Sequence, residues 1–118
     1  MKWDQEFFIQ GRKISPHSPT YFIADIAANH DSSLSRAKHL ILSAKEAGAD
    51  AVKFQHFKAE KIVSDIGFKM LGGQVAHQEK WEQSVFDTYR KYECDLSWTN
   101  ELIQTANEAN IHFFYYAL

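Results

Sequence analysis

The chain has 118 residues, 45% hydrophobic and 24% charged, with a formal net charge of -2. That is the length of one domain with an ordinary globular composition, and it has no basic excess to gather nucleic acid or anionic lipid. Cys94 is the only cysteine, which excludes an internal disulfide and makes a reducing compartment the default.

No apolar run approaches the roughly 20 residues that span a bilayer. The N-terminal MKWDQEFFIQ puts acids where a signal peptide is apolar. The expected location is the cytoplasm.

In chain order, EFFIQGRKI predicts a short hairpin turning near Gln10 and Gly11. SPHSP is a linker, because each proline disfavours helix at the residue before it. Residues 21–28 are almost continuously apolar, the pattern of a strand buried on both faces of a parallel sheet. Asn29, Asp31 and Ser32 break the run and offer a helix cap. Leu34, Ala37, Leu40, Ile41, Ala44 and Ala47 then recur at helical spacing, and Gly48 stands where a helix closes. Residues 51–57 form a second strand. The two strand starts lie about 30 residues apart, the length of a right-handed βαβ unit.

Residues 58–80 contain Gly67, Gly72 and Gly73 and read as one long irregular loop. Trp81, Val85, Phe86 and Tyr89 predict a short amphipathic helix. A second crossover helix spans 96–110, capped by Ser97, lined by Leu102, Ile103, Ala106 and Ala109, and closed by Asn110. IHFFYYAL is a third strand. The predicted class is α/β: about three parallel strands with crossover helices behind an N-terminal β-hairpin. A closed (β/α)8 barrel takes roughly 250 residues, so the expectation is a partial TIM barrel.

Side chains alternate along a strand. Ile23, Asp25 and Ala27 share one face of the first, and Ala51, Lys53, Gln55 and Phe57 one face of the second. Helices should cover the opposite faces, with Phe22, Ile26, Val52 and Phe54. Asp25 and Lys53 are then charges at interior positions of neighbouring strands. Buried charges are paired or bind something. One reading is a structural ion pair. The other is a functional site in which Lys53 holds a carboxylate or phosphate as a point charge.

Asn29 and His30 end the first strand, and Gln55 and His56 the second. The C-terminal strand ends are where parallel α/β folds keep their active sites. Asn29 and His30 equally suit a turn or cap. His56 has the parity of a half-buried packing residue. His30 and His56 lack the spacing and third ligand of a metal site. Lys58, Lys61, Lys69, Gly72 and Gly73 suit either a lid over an anion or a solvated loop. Nothing matches a nucleotide-binding loop or a nucleophile elbow.

The stretch IADIAANHDSSLSRAKHLILSAKEAGADAVKFQHFKAEKIVS resembles the N-terminal part of the sialic acid synthase family, the N-acetylneuraminate and related nonulosonate synthases. The pattern there is I-A-E-I-G-x-N-H-x-G, a helix, then A-G-A-D-A-V-K-F-Q. The resemblance implies a TIM barrel that condenses phosphoenolpyruvate with an N-acylated hexosamine, releasing phosphate, for surface-glycan biosynthesis. It implies a divalent metal, manganese or magnesium, that activates the sugar aldehyde in the parent enzyme. It places Lys53 on phosphoenolpyruvate, Gln55 on the sugar, Asp25 at the reacting centre, and Asn29 and His30 at the site floor.

The chain departs from that pattern in several places. Asp25 replaces a glutamate, Ser32 a glycine, and Ala27 or Ala28 another glycine. Phe114 is followed by Tyr115, Tyr116, Ala117 and Leu118 instead of a Ser/Thr-Pro segment that helps bind phosphoenolpyruvate. These departures predict that residues 1–118 are a truncated N-terminal portion of a synthase barrel, holding no metal and inactive alone. The rival expectations are a non-catalytic remnant that pairs through its open strand edges, as a homo-oligomer or with a partner, and a different barrel enzyme for a phosphorylated substrate.

Overall fold

A computed structural model describes residues 5–71 and 83–117. Gln10 (φ 46°) and Gly11 (φ 82°) are both left-handed, as a two-residue hairpin turn of type I′ requires. They join β1 (Phe7–Ile9) to β2 (Arg12–Ile14) in an antiparallel pair, so the hairpin is where the sequence puts it.

Three parallel strands follow: β3 (Ile23–Ala27), β4 (Ala51–His56) and β5 (His112–Ala117), in the order β3-β4-β5. α1 (Leu34–Glu46) connects the first two and α5 (Thr99–Glu108) leads into the third. One core joins these elements: Ile26, Val52 and Phe54 from the strands, Ala37, Ile41 and Ala44 from α1, Leu102 and Ala106 from α5, and Ile111. The strands therefore add in sequence order with both helices on one face. That is the single winding of a barrel; a doubly wound sheet reverses its strand order and uses both faces.

Several local expectations need correction. The cap of α1 is Ser33, whose side chain accepts from Arg36 N. Asp31 (φ 55°) and Ser32 (φ 56°) are left-handed, so they form the turn and pass the capping role one residue on. Gly48 (φ 93°) does close the helix. The 58–80 stretch is not one loop: it contains α2 (Ala59–Ile62) and α3 (Asp65–Leu71). Ala59 N donates to Glu93 Oε1 at 2.7 Å, so a distant carboxylate supplies the cap that the local sequence lacks. In α3, Lys69 pairs with Asp65 one turn away at 2.9 Å.

The amphipathic helix is α4 (Val85–Lys91), capped by Ser84; Trp81 lies outside the described residues. The second crossover begins with a 3-10 turn, Leu96–Trp98, whose cap is Asp95 and not Ser97: Asp95 Oδ1 accepts from Ser97 N at 2.9 Å. Asn110 (φ 55°) closes α5 as expected.

Phe22 is 61% exposed and precedes β3, so it does not join the helix-covered face. Its backbone is held at the base of the sheet instead. Phe22 N donates to Asp50 Oδ2 at 2.8 Å, and Phe22 O accepts from Asp50 N and Ala51 N. Arg12 also pairs with Asp50 and lies 5.2 Å over the Tyr21 ring. The Tyr21 hydroxyl bonds His112 Nδ1 at 2.6 Å. This cluster fastens the hairpin to the N-terminal ends of the strands.

Candidate active site

Register brings Asp25 opposite Lys53, and Lys53 opposite Phe114. Their neighbours Ala24, Ile26, Val52 and Phe54 pack against the helices, so alternation puts Asp25, Lys53 and Gln55 on the other face. Lys53 Nζ lies 3.5 Å from Asp25 Oδ2. The sequence predicts these charges together, and they are. It also predicts them buried, and they are not: the side chains are 42% and 59% exposed. No element among the described residues covers this face of the sheet, so water screens the pair.

At the C-terminal edge the pairing of β3 with β4 slips between Asp25 and Ala27. Ala27 has φ 52°, a left-handed conformation that costs a non-glycine residue about 1–2 kcal/mol. The turn it starts is held by Asn29 N and Asn29 Nδ2, which both donate to Ile26 O, at 3.1 and 3.0 Å. The Asn29 amide nitrogen is thus committed to the backbone.

A cavity of ≈ 270 Å³ opens beside this turn. Ala27, Ala28 and Asn29 form one wall, Gln55 and Phe57 the floor, and Thr88, Tyr89 and Tyr92 the far side. Phe57 is buried, and its ring meets Tyr89 edge-on at 5.7 Å. Thr88 Oγ1 donates to Ser84 O at 2.9 Å, which leaves its oxygen lone pairs toward other donors. Sequence reasoning predicted Asn29 and Gln55 near one another at the strand ends. It missed Thr88 and Tyr92 and read Tyr89 only as a packing residue. The available signal was their spacing: positions 88, 89 and 92 fall on one side of a helix.

His30 and His56 lie elsewhere. Both are buried against the helix side of the sheet, at 0% and 1% exposure, so His56 is more deeply buried than its parity suggested. His30 Nδ1 accepts from Ser32 N at 3.1 Å and its ring meets Trp98 edge-on at 5.5 Å. His56 Nδ1 is 3.5 Å from Thr99 Oγ1, and its ring stacks on Tyr115 at 4.8 Å. Burial lowers both pKa values below the ordinary imidazole value, and His30 lowers that of His56 further. Both side chains are therefore neutral at pH 7. The structure does not bring His30 to Asp25, Lys53 or the cavity. Among the described residues, no group of three or more His, Cys, Asp or Glu could hold a metal ion.

Cys94 is fully buried, and burial pushes its thiol up to about 11. Little of it is thiolate, the reactive form, at neutral pH. Lys58 pairs with Glu93 at 3.6 Å and Lys69 with Asp65; Gly72 and Gly73 fall outside the described residues. No helix among the described residues is long and apolar enough to cross a membrane.

Comparison with known proteins places this geometry in a family. N,N'-diacetyllegionaminic acid synthase of Campylobacter jejuni is 38% identical over 97 residues, 80% of this chain and 28% of its own length. Human N-acetylneuraminate-9-phosphate synthase is 32% identical over 103 residues, 87% of this chain and 28% of that protein. The crystal structure of a sialic acid synthetase from Leptospira borgpetersenii superposes with a TM-score of 0.72. It is 24% identical, and the match covers 97% of this chain and 34% of that one. The fold is thus the hairpin and the first strands of a synthase-type TIM barrel, and the chain spans about a third or less of the proteins it matches. The sequence profile of the NeuB family matches residues 40–117, and the chain belongs to the NeuB family.

Proposed function

We propose that this chain carries part of the substrate site of a synthase that joins phosphoenolpyruvate to an N-acylated amino sugar. In that reaction a carbon–carbon bond forms between the enol carbon and the sugar aldehyde. Water is taken up and phosphate leaves. Lys53 is the anchor for the anionic substrate, because its ammonium stands on the uncovered face of the sheet with Asp25 as its only close carboxylate among the described residues. Asp25 orients that ammonium and is the nearest group able to handle a proton there. Gln55, two residues on along the same face, offers both a donor and an acceptor to sugar hydroxyls. Asn29 shapes the wall of the adjoining cavity.

The observation that carries this reading is the Asp25–Lys53 pair set one strand step from Gln55. The manganese or magnesium expected of the parent enzyme finds no donor set among the described residues. The named relatives suggest two classes of acceptor. One relative is named for a di-N-acetylated product and another for a phosphorylated one.

The test is a titration of the ¹⁵N-labelled chain with phosphoenolpyruvate, followed by amide NMR shifts. Shifts centred on Lys53 and Asp25 that vanish in Lys53→Met support the proposal. Shifts that persist unchanged in Lys53→Met overturn it.

A further inference from the structure

We infer that His30 and His56 are positioning residues for the candidate site. Their imidazoles form one hydrogen-bonded series through a shared buried water, and that series fixes the turn carrying Asn29 to the end of the strand carrying Gln55. This role rests on the proposed function above, in which Asn29 is the wall of the site and Gln55 its sugar contact. The sequence puts His30 at the site floor; here it acts from behind the wall.

The turn needs such a fastening. Ala27, Asp31 and Ser32 are all left-handed, at φ 52°, 55° and 56°. Residues other than glycine keep that conformation only where their surroundings over-determine it. The sheet does not supply the hold. β3 and β4 pair only as far as Ala27 and Phe54, so Gln55 and His56 have no ladder partner on the β3 side. His30 directly follows Asn29, and His56 directly follows Gln55. Each imidazole is buried on the helix side while the residue before it lines the cavity. A link between the two rings therefore ties the two parts of the site together from behind.

The hydrogen bonds give the series a direction. Ser32 N–H donates to His30 Nδ1 at 3.1 Å, so that nitrogen is bare and the neutral ring carries its proton on Nε2. His30 Nε2 is buried and has no hydrogen-bond partner among the described residues. His56 has Thr99 Oγ1 3.5 Å from its Nδ1, and its own Nε2 is likewise buried and unpartnered. A buried polar group left in that state costs about 1–3 kcal/mol. The two rings are close enough for His30 to act on the charge of His56. With its proton on Nδ1, toward Thr99, His56 offers Nε2 as an acceptor. One water between the rings then accepts from His30 and donates to His56. The opposite tautomer of His56 would aim two donors at that water and leave the water's own protons without an acceptor. Trp98 and Tyr115 meet the rings by aromatic contact.

The experiment reads histidine tautomers and ligand response in the same ¹⁵N-labelled chain. Long-range proton–nitrogen spectra at pH 7 should show the His30 proton on Nε2 and the His56 proton on Nδ1, with a cross-peak from His30 Nε2–H to a bound water. N-acetylmannosamine, added with phosphoenolpyruvate, should shift the side-chain amides of Asn29 and Gln55. His56→Phe should weaken that response about tenfold, the loss of one supporting hydrogen bond. His56→Gln, which returns an acceptor near the Nε2 position, should recover most of it. The opposite tautomer at either ring, or a glutamine variant no better than the phenylalanine one, overturns the inference and leaves the proposed function standing. If the sugar shifts neither amide in the unmodified chain, the sugar half of the proposed function falls and the positioning role falls with it. If phosphoenolpyruvate fails to shift Lys53, the other half falls and the positioning role stands. Should His56→Phe not fold, the tautomers and the water contact of the unmodified chain decide.

Discussion

Lys53 and Asp25 face each other across a register pair of β4 and β3, 3.5 Å apart, and both remain wet. An ion pair of that kind contributes at most about 1 kcal/mol. Asp25→Asn and Lys53→Met should therefore each change the free energy of unfolding by less than about 1 kcal/mol, measured by urea denaturation. Lys53→Met should nonetheless abolish the response to phosphoenolpyruvate. A loss of several kcal/mol in either variant would instead mark the pair as a structural fastening.

Ala27 presents the opposite case, a residue whose cost lies in its backbone. At φ 52° its Cβ is crowded, by about 1–2 kcal/mol. Glycine removes that strain but adds freedom to the unfolded chain, worth about 0.4–1 kcal/mol against it. Ala27→Gly should on balance stabilise the protein by up to about 1 kcal/mol, seen as a rise in thermal midpoint. A clear fall in the midpoint would contradict the backbone account.

The strands and their pairing were legible in the sequence because apolar runs and a 30-residue repeat spacing fix a βαβ unit almost alone. The Asp25–Lys53 contact followed from alternation and register. The exposure of the pair did not, since the pattern of one strand cannot say whether a neighbouring element covers its face. The caps were misplaced for a related reason. Asp31 and Ser32 are good capping types, yet their left-handed backbone hands that role to Ser33. α2 was invisible because its cap, Glu93, is 34 residues away. Thr88 and Tyr92 were missed because a helix that packs by one side and lines a cavity by another looks merely amphipathic.

The thiol of Cys94 is buried, and its pKa is pushed up to about 11, chiefly by burial and then by Asp95. Thiolate, the reactive form, is then scarce at pH 8. The native chain should react with a thiol-specific disulfide reagent at least about a hundredfold more slowly than the urea-unfolded chain at that pH. Comparable rates would show that the 94–95 region opens readily.

The core predicts its own sensitivity. Leu102 is fully buried between the sheet and α1. Leu102→Ala should cost about 2–5 kcal/mol, as for other buried leucines. That is a large share of the stability of a small domain. By contrast, Leu42 is half exposed on the outer side of α1, and Leu42→Ala should cost less than about 1 kcal/mol. Similar losses at both positions, by urea denaturation, would mean that α1 does not seat on the sheet by its Ala37–Ile41–Ala44 face.

His30 and His56 set the response to acid. Burial lowers both pKa values in the folded chain, so the unfolded chain takes up protons more readily than the folded one. Stability contributed in this way is present above the unfolded imidazole value of about 6.5 and is lost as pH falls below it. Asp50 does not confuse the window. Its carboxyl is held below the usual carboxylate range by the Phe22 N–H and then by Arg12, so its contribution is lost only below about pH 4. The urea midpoint should therefore decline between pH 7 and pH 5. His56→Phe, which keeps an aromatic ring against Tyr115, should flatten a substantial part of that decline. A wild-type midpoint that is level across this range, or a decline that survives unchanged in His56→Phe, would show that these imidazoles reach water before the chain unfolds.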